Sequence, residues 1–168
     1  MKQSGYAAEG LAGAFRSHQR ELVRLAAFIL GDQAAAEDTV QDVFARLHER
    51  QYLLADPGDP LPYLRRAVIN GCRSAVRRRT LIRRHDHGHQ PAPPLTAEEA
   101  ALLSEDRREV LRALAKLPRR RREVLVLRFY LDLSEAQIAA TLGISQGTVK
   151  STAARGLASL ARALKETR

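Results

Sequence analysis

Apolar residues recur every three or four positions in three stretches of the first 79 residues, which is the spacing of one face of an α-helix. The stretches run from about Leu11 to Leu30, Ala34 to Arg50 and Leu61 to Arg79. Gly31-Asp32 ends the first stretch, and the proline- and glycine-rich segment 55–60 predicts a loop before the third. The third stretch has apolar residues at strict four-residue spacing, at Leu64, Val68, Cys72 and Val76. The pattern predicts a helical bundle over residues 1–79.

Residues 80–97 interrupt this periodicity. They contain Pro91, Pro93 and Pro94 together with three histidines. Such a segment predicts a partly extended, flexible linker between two independently placed domains.

Helical periodicity resumes at about Ala97, in a helix that ends before Pro118. A second helix is predicted from about Arg119 to Tyr130, and two more follow. We therefore expect an all-α protein with two small helical domains, residues 1–79 and residues 98–168, joined by the linker 80–97.

Residues 134–164 have the local signals of a helix-turn-helix. Ser134 and Gln137 have the spacing of a capping box, which begins a helix. Gly143 stands where that helix must end and turn, and Ser145 is a favourable N-cap for the next helix. Val149, Ala153, Leu157, Leu160 and Leu164 are expected to continue the apolar stripe.

A small residue at Ala139, then Gly143, then Val149 is the spacing typical of helix-turn-helix units that read DNA in the major groove. The predicted exposed face of the second helix is polar and basic: Gln146, Thr148, Lys150, Ser151, Thr152 and Arg155. Lys and Arg can reach guanine edges, and Gln can reach adenine. An ordinary helical hairpin with a solvated polar face is the alternative.

The net charge of +9 and the pI near 10.5 favour a polyanionic partner, usually nucleic acid. Four consecutive arginines, residues 119–122, add a basic cluster at a predicted helix start. Positive charge there opposes the helix dipole unless an anion is supplied, which favours phosphate contact over a solvated basic turn.

Several classes of protein are disfavoured. The single cysteine excludes an internal disulfide, no apolar run approaches a membrane span, and residues 1–10 lack the apolar core of a signal peptide. We therefore expect a cytoplasmic protein without membrane insertion. No nucleotide-binding or hydrolase motif is present, so we expect no enzymatic activity and no cofactor. A metal site at His85, His87 and His89 is disfavoured because no Cys or Glu accompanies it.

The helix-turn-helix half closely resembles region 4 of the sigma-70 family of transcription initiation factors. The resemblance lies in five segments: Leu117-Pro118, Arg122–Leu125, Leu127–Tyr130, Ile138–Ser145 and Gly147–Ser151. The first half resembles region 2 of the same family, through Ala36–Phe44, Pro62–Asn70 and Arg77–Arg79. The compact length resembles the extracytoplasmic-function (ECF) group, which keeps only these two regions.

The resemblance implies a function: binding bacterial core RNA polymerase and directing transcription from specific promoters. It implies that Asp38, Gln41 and Asp42 contact the clamp of the largest polymerase subunit, and that region 4 contacts the flap of the second-largest. Residues 1–58 carry eight acids and six bases, which suits a surface that does not bind DNA. Relatives are often inhibited by an anti-sigma factor, which makes such a protein a candidate partner.

The resemblance also implies two promoter contacts. The third helix and the loop before it would bind and open the −10 element, trapping a flipped base, through Asp56, Arg65, Arg66, Asn70, Arg73, Arg77 and Arg78. The helix-turn-helix would read the −35 element through Arg122, Gln146, Thr148, Lys150, Ser151, Ala154 and Arg155. Thr152 and Ala154 replace larger or basic residues of relatives, and Tyr63 replaces the usual Trp. These departures leave the promoter sequence open.

Two other functions remain as alternatives. A stand-alone helix-turn-helix regulator would bind its operator without polymerase, usually as a dimer on two half-sites. A basic interaction protein would not read sequence at all, which the ordered helix-turn-helix pattern disfavours.

Overall fold

The structure is a computed structural model, and it describes residues 3–49, 59–83 and 104–166. The described residues form helices and connecting turns and contain no strand, which confirms the all-α prediction. The helices are α1 (Gln3–Leu30), α2 (Gln33–Glu49), α3 (Leu61–Arg83), α4 (Glu105–Lys116), α5 (Arg119–Leu125), α6 (Glu135–Leu142) and α7 (Gln146–Lys165).

Helices α1, α2 and α3 pack together around the apolar stripes that the sequence predicts. The buried side chains are Leu22, Leu25 and Ile29 of α1, Val40 and Val43 of α2, and Leu64, Val68 and Cys72 of α3. Removing each such leucine or isoleucine from water contributes about 1.5–3 kcal/mol, so this shared face stabilises the bundle.

The turn between α1 and α2 is set by two adjacent residues. Gly31 has a φ of 69° and donates its N–H to Ala27 O at 2.7 Å, which ends α1. Asp32 then caps α2, because its Oδ1 accepts the backbone N–H of Ala35 at 3.0 Å. The predicted end of the first helix at Gly31-Asp32 is thus confirmed.

Glycine at position 71 permits close packing of α3 on α2. A Cβ at this position would lie 2.6 Å from Val43 Cγ2 and 3.1 Å from Thr39 Cγ2. Both are β-branched side chains with restricted rotamers in a helix, so they cannot move away cheaply.

A π-helical turn, Val126–Tyr130, extends α5. The N–H of Leu131 donates to Val126 O at 3.2 Å, five residues back rather than four. The helix predicted from Arg119 to Tyr130 is therefore confirmed, but its last five residues are more widely wound than expected. The turn leaves Phe129 63% exposed, with the Arg128 guanidinium 5.9 Å from the ring centroid.

Two predicted boundaries are wrong. Helix α1 begins at Gln3 rather than about Leu11, and α3 continues to Arg83 rather than ending at Arg79. No helix-breaking residue stands between 79 and 83, so nothing local ends α3 there. The rest of the predicted linker, residues 84–97, lies outside the described residues.

The two halves of the chain pack against each other instead of standing apart. Helices α1 and α3 contact α5, α6 and the π-helical turn. Leu25 and Ile69 of the first half belong to the same buried apolar cluster as Leu127 and Ile138 of the second. The expected independent placement is therefore not found in this conformation.

No helix in the described ranges is both long and apolar enough to cross a membrane.

Candidate functional site

The turn of the helix-turn-helix is built as the sequence predicts. Ser134 Oγ accepts the N–H of Gln137 at 3.2 Å, and Gln137 Oε1 accepts the N–H of Ser134 at 2.9 Å, which completes the capping box. Gly143 adopts the left-handed conformation, with φ 66° and ψ 45°. The N–H of Ile144 donates to Ala139 O at 3.1 Å and closes the turn.

Helix α7 begins at a second cap, where Ser145 Oγ accepts the N–H of Thr148 at 3.1 Å. Val149 and Ala153 are buried against the rest of the domain, as predicted. Five of the predicted −35 residues are exposed on this helix: Gln146, Thr148, Lys150, Ala154 and Arg155. Ser151 is half-buried and donates to Thr148 O at 3.2 Å.

Two assignments on α7 are wrong. Thr152 is buried rather than exposed, because it stands three residues after Val149 and shares the buried face. Leu157 is 45% exposed rather than part of the apolar stripe. The neighbouring Gly156 packs on α5 instead, where an added Cβ would lie 3.1 Å from Leu125 Cγ.

The arginine cluster 119–122 is occupied by contacts within the chain. Arg119 Nε and Arg120 Nη1 lie 3.5 Å and 3.2 Å from Glu123 carboxylate oxygens, and Arg121 Nη1 donates to Ser159 Oγ at 2.8 Å. The anion that the helix start requires is thus Glu123, on the same helix.

Arg122 does not join the exposed face of α7. Its guanidinium donates to Ile29 O at 2.8 Å, Leu117 O at 3.1 Å and Ala115 O. Burial lowers the pKa of this guanidinium from its ordinary value. Its assignment to −35 DNA stays a prediction, and such a contact would require it to leave these carbonyls.

Helix α3 brings together most of the predicted −10 residues, but several have partners. Arg65 Nε lies 2.7 Å from Glu21 Oε1, and Arg78 Nη2 lies 3.9 Å from Asp42 Oδ2. Arg66, Asn70 and Arg77 are exposed on the same helix. Asp56 lies outside the described residues.

Arg73 of α3 is bound by a residue of the other half. Its Nε and Nη2 lie 3.1 Å and 2.9 Å from the two carboxylate oxygens of Glu123, whose side chain is 0% exposed. This hydrogen bonding raises the pKa of Arg73 above its ordinary value. Sequence reasoning missed Glu123. The available signal was a lone acid directly after four arginines, at the edge of an apolar run.

The predicted polymerase-binding residues form one surface of α2. Asp38, Gln41 and Asp42 are all exposed, at positions three and four residues apart. Thr39, Val40 and Val43 point to the buried side. This separates an acidic surface from the buried face of the helix.

The histidines 85–89 lie outside the described residues. Within the described part of the chain, no group of three or more His, Cys, Asp or Glu side chains could hold a metal ion.

Two family models match the sequence. The model described as sigma-70 region 2 matches residues 14–82, and the model described as sigma-70, region 4 matches residues 107–160. The RNA polymerase sigma-E factor of Streptomyces antibioticus is 35% identical over 150 residues, which cover 89% of this chain and 82% of that protein. The ECF RNA polymerase sigma factor SigL of Mycobacterium tuberculosis is 34% identical over 142 residues, covering 82% and 78%.

Two solved structures share the fold. The sigma factor RpoE in complex with the anti-sigma factor NepR, from Bartonella quintana, superposes with a TM-score of 0.78 at 23% identity, covering 95% of this chain and 99% of that chain. CnrH in complex with the cytosolic domain of CnrY superposes with a TM-score of 0.65 at 24% identity, covering 99% and 97%.

Proposed function

The chain belongs to the ECF group of the sigma-70 family, and we propose that it brings core RNA polymerase to promoters by contacting the −35 and −10 elements with separate helices. One observation carries the proposal: the first turns of α7 present exposed polar and basic side chains with no acid among them.

The −35 contact is proposed for the N-terminal part of α7. A recognition helix enters the major groove with its first residues, and here these residues include exposed Gln146, Lys150 and Arg155. Arg155 has the reach and geometry for a bidentate contact to guanine, while Lys150 supplies a point charge for guanine or phosphate. The caps at Ser134 and Ser145 hold the two helices in a fixed relation, which supports a defined docking geometry.

The −10 contact is proposed for the exposed side of α3. Arg66 and Arg77 would bind the DNA backbone, and the Asn70 amide would hydrogen-bond the edge of an unstacked base. Arg65 and Arg78 pair with carboxylates within the chain, so their part in binding DNA would be weaker than that of Arg66 and Arg77.

Polymerase binding is proposed for Asp38, Gln41 and Asp42 on α2, against the clamp of the largest subunit. Their common exposure and spacing support one continuous contact. Region 4 would contact the flap of the second-largest subunit. RNA synthesis itself would belong to the polymerase. An anti-sigma factor is a further proposed partner, because both structural neighbours are complexes with other proteins.

Run-off transcription with purified bacterial core polymerase on a library of promoter fragments tests the proposal. We expect discrete start sites that depend on this chain. Asp38→Arg/Asp42→Arg should abolish them by preventing polymerase binding, whereas Asp106→Arg, at an exposed acid of α4, should not. Absence of polymerase binding and of initiation, with tight operator binding by the chain alone, would instead establish a stand-alone regulator.

A further inference from the structure

A polar network connects the proposed −10 surface to region 4. Asn70 Oδ1 accepts from Arg73 Nη1 at 3.3 Å, and the Arg73 guanidinium binds both carboxylate oxygens of Glu123 through Nε and Nη2. The base-reading amide and the neighbouring cation of α3 are therefore both engaged when Glu123 is in place.

A carboxylate resembles a DNA phosphate in how it binds arginine. Both present two oxygens that match the planar fork of the guanidinium, and both carry negative charge. Glu123 and a backbone phosphate cannot occupy the fork of Arg73 at the same time.

Glu123 is suited to releasing Arg73. A buried carboxylate is costly unless it is paired, and here Arg119 and Arg120 pair with it from its own helix. Because these two partners move with Glu123, separating the halves leaves no unpaired buried charge. The contact can therefore open and close without a large penalty on the region 4 side.

The remaining contacts across the interface are few and specific. Arg122 Nη1 donates to Ile29 O at 2.8 Å. The rings of Phe28 and Tyr130 meet edge-on, with their centroids 4.6 Å apart. Together with the shared apolar cluster, these contacts hold the two halves closed.

We propose that Glu123 is an internal competitor of promoter DNA: its carboxylate occupies Arg73 in a closed, self-restrained state, and DNA gains Arg73 and Asn70 only when the halves separate. The proposal rests on the proposed promoter function. Its control is local to the chain and requires no second protein.

Distances between spin labels on Ala45→Cys of α2 and Ala158→Cys of α7 test the closed state directly. Both positions are exposed, and Cys72 is fully buried, so it does not compete for label. The otherwise unmodified chain should give one narrow, short distance distribution. Glu123→Gln should shift it to longer distances, whereas Glu105→Gln, which removes an equal charge from an exposed acid of α4, should not.

Binding of a fluorescein-labelled pool of random 20-nucleotide single-stranded DNA tests the competition. Glu123→Gln should bind about tenfold more tightly, within the range of typical coupling effects. Its plot of log affinity against log salt should be steeper by about 0.7, which corresponds to one gained phosphate contact on a single strand. Glu105→Gln controls for the change in net charge.

Tyr130→Ala provides an independent variant should Glu123→Gln fail to fold. It weakens the same interface through Phe28 and leaves Glu123 intact, and Phe129→Ala is its exposed neighbour and control. Tyr130→Ala should lengthen the distances, and Phe129→Ala should not. Unchanged distances and affinity in every folded interface variant would overturn the proposal. If such a chain still directed run-off transcription, the promoter function would stand without it.

Discussion

Arg73 and Glu123 are fifty positions apart in the chain and form a two-point ion pair, with Nε to Oε1 at 3.1 Å and Nη2 to Oε2 at 2.9 Å. The pair joins α3 to α5 and so joins the two halves of the chain. Its carboxylate is fully buried, while the guanidinium remains partly exposed. The accessible side of the pair is thus the arginine, which is the side that DNA would need to reach.

Arg155→Ala should weaken binding of holoenzyme to its −35 duplex by about 1–3 kcal/mol, because a bidentate contact to a base is lost. Fluorescence anisotropy with a labelled promoter duplex measures this change. Arg162→Ala, at an exposed arginine in the last turn of α7, removes the same charge away from the helix N-terminus. Equal losses in the two variants would reduce the role of Arg155 to general electrostatics.

Asn70→Ala should impair promoter opening while core polymerase binding stays intact, because the amide is proposed to hold an unstacked base. Permanganate reactivity of thymines around the −10 element measures opening, and co-elution with core polymerase measures binding. A parallel loss of polymerase binding would contradict the assignment of Asn70 to DNA.

Gly71→Ala should destabilise the chain by about 1–3 kcal/mol, because the added methyl group overlaps Val43. Helix propensity acts in the opposite direction, since alanine is favoured over glycine within a helix. Gly13→Ala in α1 isolates that gain, because nothing lies within 4 Å of its added Cβ. Urea unfolding should therefore show opposite signs for the two variants, and a stabilised Gly71→Ala would refute the close approach of α2 and α3.

Asp32 should make stability depend on acid pH. The N–H of Ala35, opposed in part by burial, and the Arg79 guanidinium at 3.0 Å hold the pKa of Asp32 below its ordinary value of 3.8. A depressed folded pKa gives stability that is present above the unfolded pKa and lost as the pH falls through the folded pKa. At neutral pH, Asp32→Asn should cost less than about 1 kcal/mol, because asparagine keeps the cap but loses the charge.

Urea unfolding at neutral pH and below about pH 4 compares the parent with Asp32→Asn. The difference in unfolding free energy should shrink in acid. Asp32→Ala should cost about 1 kcal/mol more than Asp32→Asn at every pH, since it also removes the cap. A gap between parent and Asp32→Asn that persists in acid would contradict the ionic contribution.

Cys72 should resist thiol reagents in the folded chain. Burial, reinforced by the negative charge of Glu123, raises the pKa of the Cys72 thiol to about 12, so the reactive thiolate is scarce at neutral pH. Labelling by a disulfide reagent should proceed at the rate of unfolding and accelerate in urea. Rapid labelling of folded protein would show that this part of α3 is accessible.

Local signals predicted the helix-turn-helix well. The capping box at Ser134 and the left-handed Gly143 depend only on residues within a few positions, so the sequence carries them in full. Thr152 was assigned by its polarity, although its spacing from Val149 indicated the buried face. Leu157 was assigned by its apolar character, and its exposure follows from the packing of Gly156 on Leu125.

Contacts between the halves were beyond the reach of sequence patterns. The arginines of residues 119–122 were expected to bind phosphate, and their partners became visible only in the folded chain. Glu123 is buried because α3 covers it, and no periodicity within α5 reports a helix fifty residues earlier. The same holds for Arg122, whose partner Ile29 is the penultimate residue of α1. Assignments of DNA-binding arginines from charge alone fail where a carboxylate or carbonyl is closer.

The π-helical turn at Val126–Tyr130 acts as a one-residue insertion in an otherwise regular helix. Deleting one of its residues would restore α-helical winding and rotate everything that follows by about 100° around the helix axis. The orientation of the recognition helix relative to the rest of the chain is therefore fixed by residue number at this turn. Alignments with relatives that wind this segment as a plain α-helix should place their single-residue gap here.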